Sequence, residues 1–224
     1  KLRPHFKAHK TPEIARRQLA AGSCTGLTCA TVSEAEAVAP LAADILIANE
    51  IVDRDKCRRA AALAREIAVT VAADSITGLE HMSGAAAAAG VTIGVLIDLN
   101  VGQNRCGVSP GEEAVALARR ASALAGLKLR GLMGYEGHAV GIPTRREREV
   151  AVRGSMEQLV STARMFAAAG LPTDIVSAGG TGSYDICSAF EEITEIQAGS
   201  YALMDSDYAR FGMPFEHALS VLGT

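Results

Sequence analysis

A lysine among imidazole groups near the start of the chain is the residue with the clearest chemical potential in this sequence. Residues 3–11 read Arg-Pro-His-Phe-Lys-Ala-His-Lys-Thr. In an extended strand His5, Lys7 and His9 share one face, because side chains alternate with a period of two. Cationic neighbours lower the pKa of an ammonium group and favour the free amine, which attacks carbonyls to form Schiff bases. The pattern allows a nucleophilic Lys7 at a strand end, with Lys10 the weaker candidate, whereas composition alone favours a plain surface lysine.

A glycine-rich turn with hydroxyl groups is the second chemical feature. Residues 177–184 read Ser-Ala-Gly-Gly-Thr-Gly-Ser-Tyr and follow an apolar run. Glycines let backbone N–H groups approach a phosphate closely, and hydroxyls with a helix N-terminus supply further donors. A purely conformational turn is the alternative. The residues of this candidate phosphate site are Ser177, Gly179, Gly180, Thr181, Gly182 and Ser183.

Three further apolar runs carry side chains that suit a reactive site, either within the run or just after it. Arg105 carries a guanidinium that pairs well with a carboxylate or a phenolate oxygen. Tyr135 and His138 lie close together, and an imidazole with a pKa of about 6.5 suits a general base. Gln197 offers a neutral amide. The alternatives are an arginine that caps a surface turn and a histidine satisfied within its loop.

The segments that must position these residues alternate between strand and helix. The apolar runs number about eight, which is the count of a closed (β/α)8 barrel of the TIM type, and regular alternation implies a parallel sheet. An open doubly wound sheet is the alternative. Helices are predicted from Ser33, and over Asp53–Ile67, Glu112–Ala125 and Thr144–Ala169. The predicted strands are Leu2–Ala8, Gly26–Thr31, Asp44–Glu50, Ala68–Ala73, Thr92–Val101, Leu127–Gly137, Asp174–Gly180 and Thr194–Leu203.

Charge and composition narrow the classes of partner. The 224 residues contain 22 Lys and Arg against 25 Asp and Glu, a net charge of −3 without a basic excess. We therefore expect no nucleic-acid partner. The chain lacks an apolar stretch long enough for a membrane span, so we expect no membrane partner and a cytoplasmic location. Five cysteines without a CxxC pair favour reduced thiols.

The Arg-Pro-His-Phe-Lys segment resembles the cofactor-lysine motif of the D-threonine aldolase and D-serine dehydratase family. These are pyridoxal 5'-phosphate (PLP) enzymes built on the N-terminal barrel of alanine racemase. The resemblance implies that Lys7 forms a Schiff base with PLP and that Gly179–Ser183 binds the phosphate. The stretch Asp98–Gly107 resembles the family's Asp…Gly-x-x-Arg-x-Gly pattern, which implies that Arg105 reaches the PLP phenolate oxygen or the substrate carboxylate.

The resemblance also implies roles for the remaining candidates. Tyr135 is expected to pack against the pyridine ring, and Gln197 takes the position that faces the pyridine nitrogen, where alanine racemases normally carry Arg. His138 is the candidate base for the β-hydroxyl proton. Aldolases of the family tend to carry their working histidine a few residues later, where this chain has Gly141 and Ile142.

The domain organisation implied by the resemblance is a PLP-binding barrel over residues 1–216 and the start of a C-terminal β domain at 217–224. The last residues read as a further strand. We expect the rest of that domain, with the ligands of a divalent metal (Mn, Mg or Zn), to lie outside this sequence. A homodimer is expected for the full-length protein.

The expected function is a PLP-dependent lyase that cleaves D-β-hydroxy-α-amino acids to glycine and an aldehyde by a retro-aldol reaction. The substrate is a small D-amino acid of the D-threonine or D-3-hydroxyaspartate type. The alternatives are a D-serine dehydratase, an amino-acid racemase, a non-catalytic PLP-binding protein, and a cofactor-free aldolase in which Lys7 attacks a sugar-phosphate carbonyl.

Overall fold

The computed structural model describes residues 1–220, in which seven strands pair in parallel, each with the next one along the chain. The predicted strands 44–50 and 68–73 have the predicted bounds. The strands are β1 Leu27–Cys29, β2 Asp44–Glu50, β3 Ala68–Ala73, β4 Ile93–Leu99, β5 Leu127–Gly134, β6 Ile175–Ala178 and β7 Glu195–Ile196.

The amino-terminal residues close this sheet into a ring. The Arg3 N–H donates to the Ile196 carbonyl of β7 at 2.9 Å, and the Thr28 N–H of β1 donates to the Pro4 carbonyl at 2.8 Å. His5 forms a parallel bridge with Thr28. This segment therefore occupies the eighth strand position, between β7 and β1. The predicted (β/α)8 barrel is confirmed, and the open sheet is excluded.

The prediction of a continuous strand over Leu2–Ala8 is wrong at its end. Phe6–Ala8 forms a 3-10 turn, in which the Ala8 N–H donates to the His5 carbonyl at 3.3 Å. The Lys7 N–H donates to His5 Nδ1 at 3.4 Å, so the histidine side chain caps this turn. The shared strand face of three side chains therefore does not form, because burial of Phe6 in the core bends the chain.

Helices connect the strands and begin at polar caps. The Thr31 hydroxyl accepts from the Glu34 N–H at 3.1 Å, and the Glu34 carboxylate accepts from the Ala30 N–H at 2.7 Å, a reciprocal cap. The cap of this helix is therefore Thr31 and not Ser33. The helices are α1 Pro12–Ala20, α2 Val32–Val38, α3 Arg54–Leu63, α4 Ile76–Ala89, α5 Glu112–Ala123, α6 Gly137–Val140, α7 Arg145–Ala168, α8 Tyr184–Cys187 and α9 Ser206–Ala209, with short 3-10 turns at Ala39–Leu41 and Ser200–Ala202.

Two apolar layers follow from the alternation of side chains along the strands. Residues such as Ile45 and Ile47 belong to the large core shared with the helices, whereas Leu46 belongs to a smaller cluster inside the barrel. The inner cluster comprises Leu46, Ala72, Leu96, Met133 and Ile175, with Ala48 packed against it.

The carboxyl-terminal residues of the described part pack back on the barrel. The Ala218 N–H donates to the Leu203 carbonyl at 2.9 Å, and residues 217–220 have no regular secondary structure. Residues 221–224 lie outside the described residues, so the predicted strand at 217–224 stays a prediction. Within residues 1–220 no helix combines the length and apolarity needed to cross a membrane.

Candidate active site

A cavity opens at the carboxyl ends of the barrel strands, with residues of the inner cluster among its walls. It encloses about 630 Å³ of space, including its open mouth. The predicted residues Lys7, Arg105, Tyr135, Gly179, Gly180, Thr181 and Gln197 all line it, together with His5, Ala8, Ala48, Met133, Gly134, Ala178, Gly199, Ser200 and Tyr208. The structure thus brings together groups from both ends of the chain.

Lys7 enters the cavity from the turn that follows the amino-terminal strand segment. Its Nζ lies 5.8 Å from the centre of the Tyr135 ring, and within residues 1–220 it forms no ion pair. Desolvation lowers the pKa of the Lys7 ammonium group, and the charge of Arg105 lowers it further, against an opposing effect of Glu34. The shift increases the fraction of free amine, which is the form that a nucleophile requires.

The cationic neighbour of Lys7 differs from the predicted ones. His5 is buried, and desolvation followed by the charge of Lys7 lowers the pKa of its imidazole to about 3, so the ring is neutral. His9 lies beside Gln18, at 3.1 Å between Nε2 and Oε1, and does not line the cavity. The nearby positive charge is that of Arg105. Lys10 pairs with Glu34 at 3.0 Å and is not a lining residue.

Arg105 is presented by the loop between β4 and α5, which Asn100 shapes. The Asn100 Oδ1 accepts from the N–H groups of Gly102 at 3.2 Å and Asn104 at 3.0 Å, and Asn104 has a left-handed φ of 53°. This closed loop directs Arg105 to the cavity. In the described part of the chain its guanidinium makes no ion pair, so its charge is available to an anionic ligand.

The glycine-rich turn between β6 and α8 forms a second wall. An added Cβ at Gly180 would lie 3.2 Å from the Tyr135 ring, so only a glycine leaves this narrow space open. The Thr181 hydroxyl accepts from the Tyr201 N–H at 2.9 Å, which leaves its own hydrogen free to donate. The Ser183 hydroxyl accepts from the Gly180 N–H at 3.1 Å. Ser183 itself is fully buried and does not line the cavity.

Gln197 is oriented by a chain of buried hydrogen bonds. Its Nε2 donates to the Ser177 hydroxyl at 2.8 Å, which donates to the Glu195 carboxylate at 2.9 Å. That carboxylate also pairs with Arg3 at 2.9 Å. Ser177 therefore lies behind the cavity wall, where it holds Gln197, and does not face a ligand directly.

Besides Ser177 and Ser183, two more predicted residues, His138 and Gly182, do not line the cavity. His138 is exposed on α6, where its imidazole occupies the space above Gly102; a Cβ added there would lie 2.7 Å from its Cε1. A Cβ at Gly182 would lie 2.8 Å from Val140, so that glycine packs tightly against α6. The structure does not bring His138 to Lys7.

Sequence reasoning missed two residues of this region. Tyr208 of α9 lines the cavity, and its place after the last predicted strand was the available signal. Glu136 follows Tyr135 directly and is completely buried, at 0% exposure, next to Ser183. In the sequence, Glu136 stands between an aromatic residue and a glycine, and this local pattern does not predict that its carboxyl is buried.

A third group of polar side chains lies behind Arg105. Ligand atoms of Glu50, Asp98 and Cys106 lie within 4.8 Å of one another. Burial raises the pKa of Asp98 to about 8, with a smaller contribution from the charge of Glu50. Burial therefore favours the protonated form of Asp98 at neutral pH.

The sequence matches a described protein family over most of its length. Residues 1–207 match the model for the alanine racemase N-terminal domain. This chain belongs to that family. It is 42% identical to a D-threonine aldolase from Arthrobacter sp. over its whole length, which covers 60% of that protein. It is 35% identical over 93% of its length to a 3-hydroxy-D-aspartate aldolase from Paracoccus denitrificans (strain Pd 1222), covering 54% of it.

A solved structure agrees with these similarities. The D-threonine aldolase from Filomicrobium marinum superposes with a TM-score of 0.94 at 39% identity, over 97% of this chain and 60% of that one. The chain thus spans little more than half the length of the relatives it matches. These matches establish the family and the fold, and the activity of the whole protein is proposed below.

Proposed function

We propose that this chain is the cofactor-binding barrel of a PLP-dependent lyase that cleaves D-β-hydroxy-α-amino acids to glycine and an aldehyde. The observation that carries the proposal is the single cavity in which Lys7, Arg105 and the glycine turn meet. The similarity of the whole chain to aldolases named for D-threonine and 3-hydroxy-D-aspartate supports the choice of reaction and substrate class.

The described residues fit PLP at its three polar points. Lys7 offers an amine of lowered pKa for the aldehyde, and Arg105 offers an unpaired guanidinium for an anionic oxygen. At the turn, the N–H groups of Thr181 and Gly182 donate to no protein acceptor among residues 1–220. Unpartnered backbone donors beside a space that a Cβ would fill are what a phosphate ester requires.

Each lining residue has a distinct task in this proposal. When bound, PLP supplies an electron sink for the pair released as the Cα–Cβ bond breaks. Lys7 would hold the cofactor through its side-chain amine, which suits a bond to the PLP aldehyde. Arg105 would donate to the phenolate oxygen or to the substrate carboxylate, and Tyr135 would pack against the ring face. Gln197 is neutral, so it cannot stabilise a protonated ring nitrogen as a carboxylate would.

The phosphate is held mainly by backbone. Gly179, Gly180 and Thr181 line the cavity. The next N–H group of the turn, that of Gly182, has no protein acceptor among residues 1–220 and would be a further donor. Ser177 and Ser183 support the wall from behind through the bonds described above. Thr181 keeps a hydroxyl hydrogen to donate to the ester oxygens.

The base for the β-hydroxyl proton has two candidates. His138 is one, although its exposed position on α6 outside the cavity argues for a minor role. The other is a hydroxide on a divalent metal (Mn, Mg or Zn), with ligands from residues outside this sequence. Replacement of His138, described in the Discussion, separates the two.

For the whole protein we propose a cytoplasmic homodimer that acts on a small-molecule amino acid, without nucleic-acid or membrane partners. The net charge of −3 supports the absence of a polyanion partner. The size of a particle in solution, measured by light scattering on the full-length protein, tests the dimer.

The reaction is tested with the full-length protein, supplied with a divalent metal and incubated with D-threonine, L-threonine, D-3-hydroxyaspartate and D-serine. Glycine is expected from the D-β-hydroxy substrates and none from L-threonine. Pyruvate from D-serine without glycine would instead assign a dehydratase. Racemisation of alanine or serine alone would assign a racemase, and PLP binding without turnover a carrier protein. Absence of a visible absorbance band with PLP would contradict cofactor binding itself.

A further inference from the structure

Glu136 is a buried acid that touches the glycine turn from behind. Its Oε1 accepts from the Ser183 hydroxyl and from the Cys187 thiol, the latter at 3.5 Å, while Oε2 has no hydrogen-bond partner. Ser183 in turn accepts from the Gly180 N–H at 3.1 Å. One hydroxyl therefore connects this carboxyl to the glycine backbone that faces the cavity.

No positive charge compensates this carboxyl. The groups that face it are Ser183 and Cys187 at α8, Tyr208 from α9 and the adjoining Tyr135. None of these is a cation, and within residues 1–220 no Lys, Arg or His nitrogen lies within 4.0 Å of it. Burial raises the pKa of Glu136. The Ser183 hydroxyl and the Cys187 thiol oppose that rise, as do the nearby backbone groups of Glu136 and Gly179.

The unpartnered Oε2 distinguishes the two protonation states. A buried carboxylate oxygen without a donor loses its hydration and gains nothing in return, whereas a buried hydroxyl without an acceptor is much less costly. A carboxylate would also stand behind the turn that is proposed to receive a phosphate dianion, and the two negative charges would repel each other across a medium of low dielectric constant.

We propose that Glu136 is a positioning residue that acts as a neutral carboxylic acid and fixes the phosphate turn through Ser183. The inference rests on the proposed function, because it concerns the affinity of the same cavity for the phosphate of PLP. Glu136 keeps its proton while the phosphate binds, and Ser183 donates its only hydrogen to Oε1 while it accepts from the Gly180 N–H. The turn is then shaped for the anion without a second negative charge beside it.

The first test is the difference infrared spectrum between wild-type full-length protein and Glu136→Gln at neutral pH. A carbonyl band of a protonated carboxylic acid should be present in the wild type and lost in the variant. Carboxylate bands lost in its place would overturn the proposal. Glu149→Gln, at an exposed residue that pairs with Arg153, is the matched control and should remove carboxylate bands only.

The second test compares the dissociation constants of PLP and pyridoxal, which share the aldehyde and ring but differ in the phosphate. Glu136→Gln should keep the wild-type preference for PLP within about threefold, because the amide oxygen can still accept from Ser183. Ser183→Ala, a small change, should lower PLP affinity about tenfold or more and leave pyridoxal affinity nearly unchanged. Glu136→Ala should act in the same direction if it folds.

The outcomes separate this inference from the proposed function. If the wild type binds neither compound with a visible absorbance band, the proposed function fails. If both bind but Ser183→Ala keeps the full preference for PLP, this inference alone fails. It also fails if Glu136→Gln loses the preference, which would mean that the charge is needed, or binds PLP far more tightly, which would mean that the wild-type residue is ionised.

Discussion

The two functional walls of the cavity are built in different ways. On the turn side, Gly180, Thr181 and Ser183 are fixed by hydrogen bonds of about 3 Å to neighbouring backbone and side chains. The second wall is formed by Lys7 and Arg105, two long side chains without ion-pair partners in the described residues. A wall made of backbone is preorganised for an invariant group such as a phosphate, whereas long side chains without ion-pair partners can follow a group that changes during a reaction.

This difference predicts different responses to substitution. Substitutions of Lys7 or Arg105 should lower turnover and leave phosphate binding by the turn intact. Substitutions in the glycine-rich turn should weaken phosphate binding and leave the Lys7 amine reactive. The predictions below run from the largest expected effect to the smallest.

Lys7→Ala should abolish covalent attachment of PLP and lower turnover by roughly 10³-fold or more, since no other amine lines the cavity in residues 1–220. The measurement is borohydride reduction followed by mass spectrometry of the trapped protein. Lys10→Ala is the matched control, because this exposed lysine pairs with Glu34 and should trap PLP normally. Persistent trapping in Lys7→Ala would point to Lys10.

Gly180→Val should weaken PLP binding by about 10²-fold or more and spare the fold. The added side chain would begin 3.2 Å from the Tyr135 ring and displace bonds to the phosphate worth about 1.5–3 kcal/mol each. Equilibrium titration with PLP measures the effect. Gly154→Val on α7, where nothing lies within 4 Å of an added Cβ, is the control. Unchanged PLP affinity in Gly180→Val would remove the turn from the site.

His138→Asn tests whether His138 is the base for the β-hydroxyl proton or a surface residue without a part in the reaction. Because His138 lies on the surface above Gly102, we expect turnover to fall by less than about tenfold with the PLP absorbance intact. A general base would account for a loss of about 10²–10⁴-fold. A loss of that size would assign the β-hydroxyl proton to His138, and a small loss would favour the metal-bound hydroxide.

The same two walls show what a sequence can predict. The turn and Lys7 were identified because glycines before a helix and a lysine after a short apolar run are local patterns, and the strands 44–50 and 68–73 are long and apolar enough to define their own bounds. The resemblance to a known family supplies the roles of these residues. The alternation of elements predicts a parallel sheet, and the count of about eight apolar runs favours a barrel over an open sheet.

The rest depends on contacts between residues far apart in the chain. Glu136 and Tyr208 join the site through α8 and α9, which no local pattern links to Lys7. The neutral state of His5 follows from its burial between β7 and β1, and the sequence showed only a histidine two residues before a lysine. The pKa of a free imidazole makes His138 a candidate base, but the packing of α6 on the loop at Gly102 decides where its side chain lies.

The smallest expected effect concerns stability in acid, and it follows from the neutral His5. Burial lowers the pKa of this imidazole from its ordinary value of 6.5 to about 3, so between these pH values the unfolded chain binds a proton that the folded chain does not bind. The contribution of neutral His5 to the free energy of unfolding is therefore fully present above the pKa of the unfolded chain. It is lost as the pH falls from about 6.5 towards about 3. His5→Gln should flatten this part of the dependence of the melting temperature on pH, with the exposed His217→Gln as control. An equally steep decline in His5→Gln would show that other groups cause the acid sensitivity, and that the imidazole is already protonated in the folded barrel.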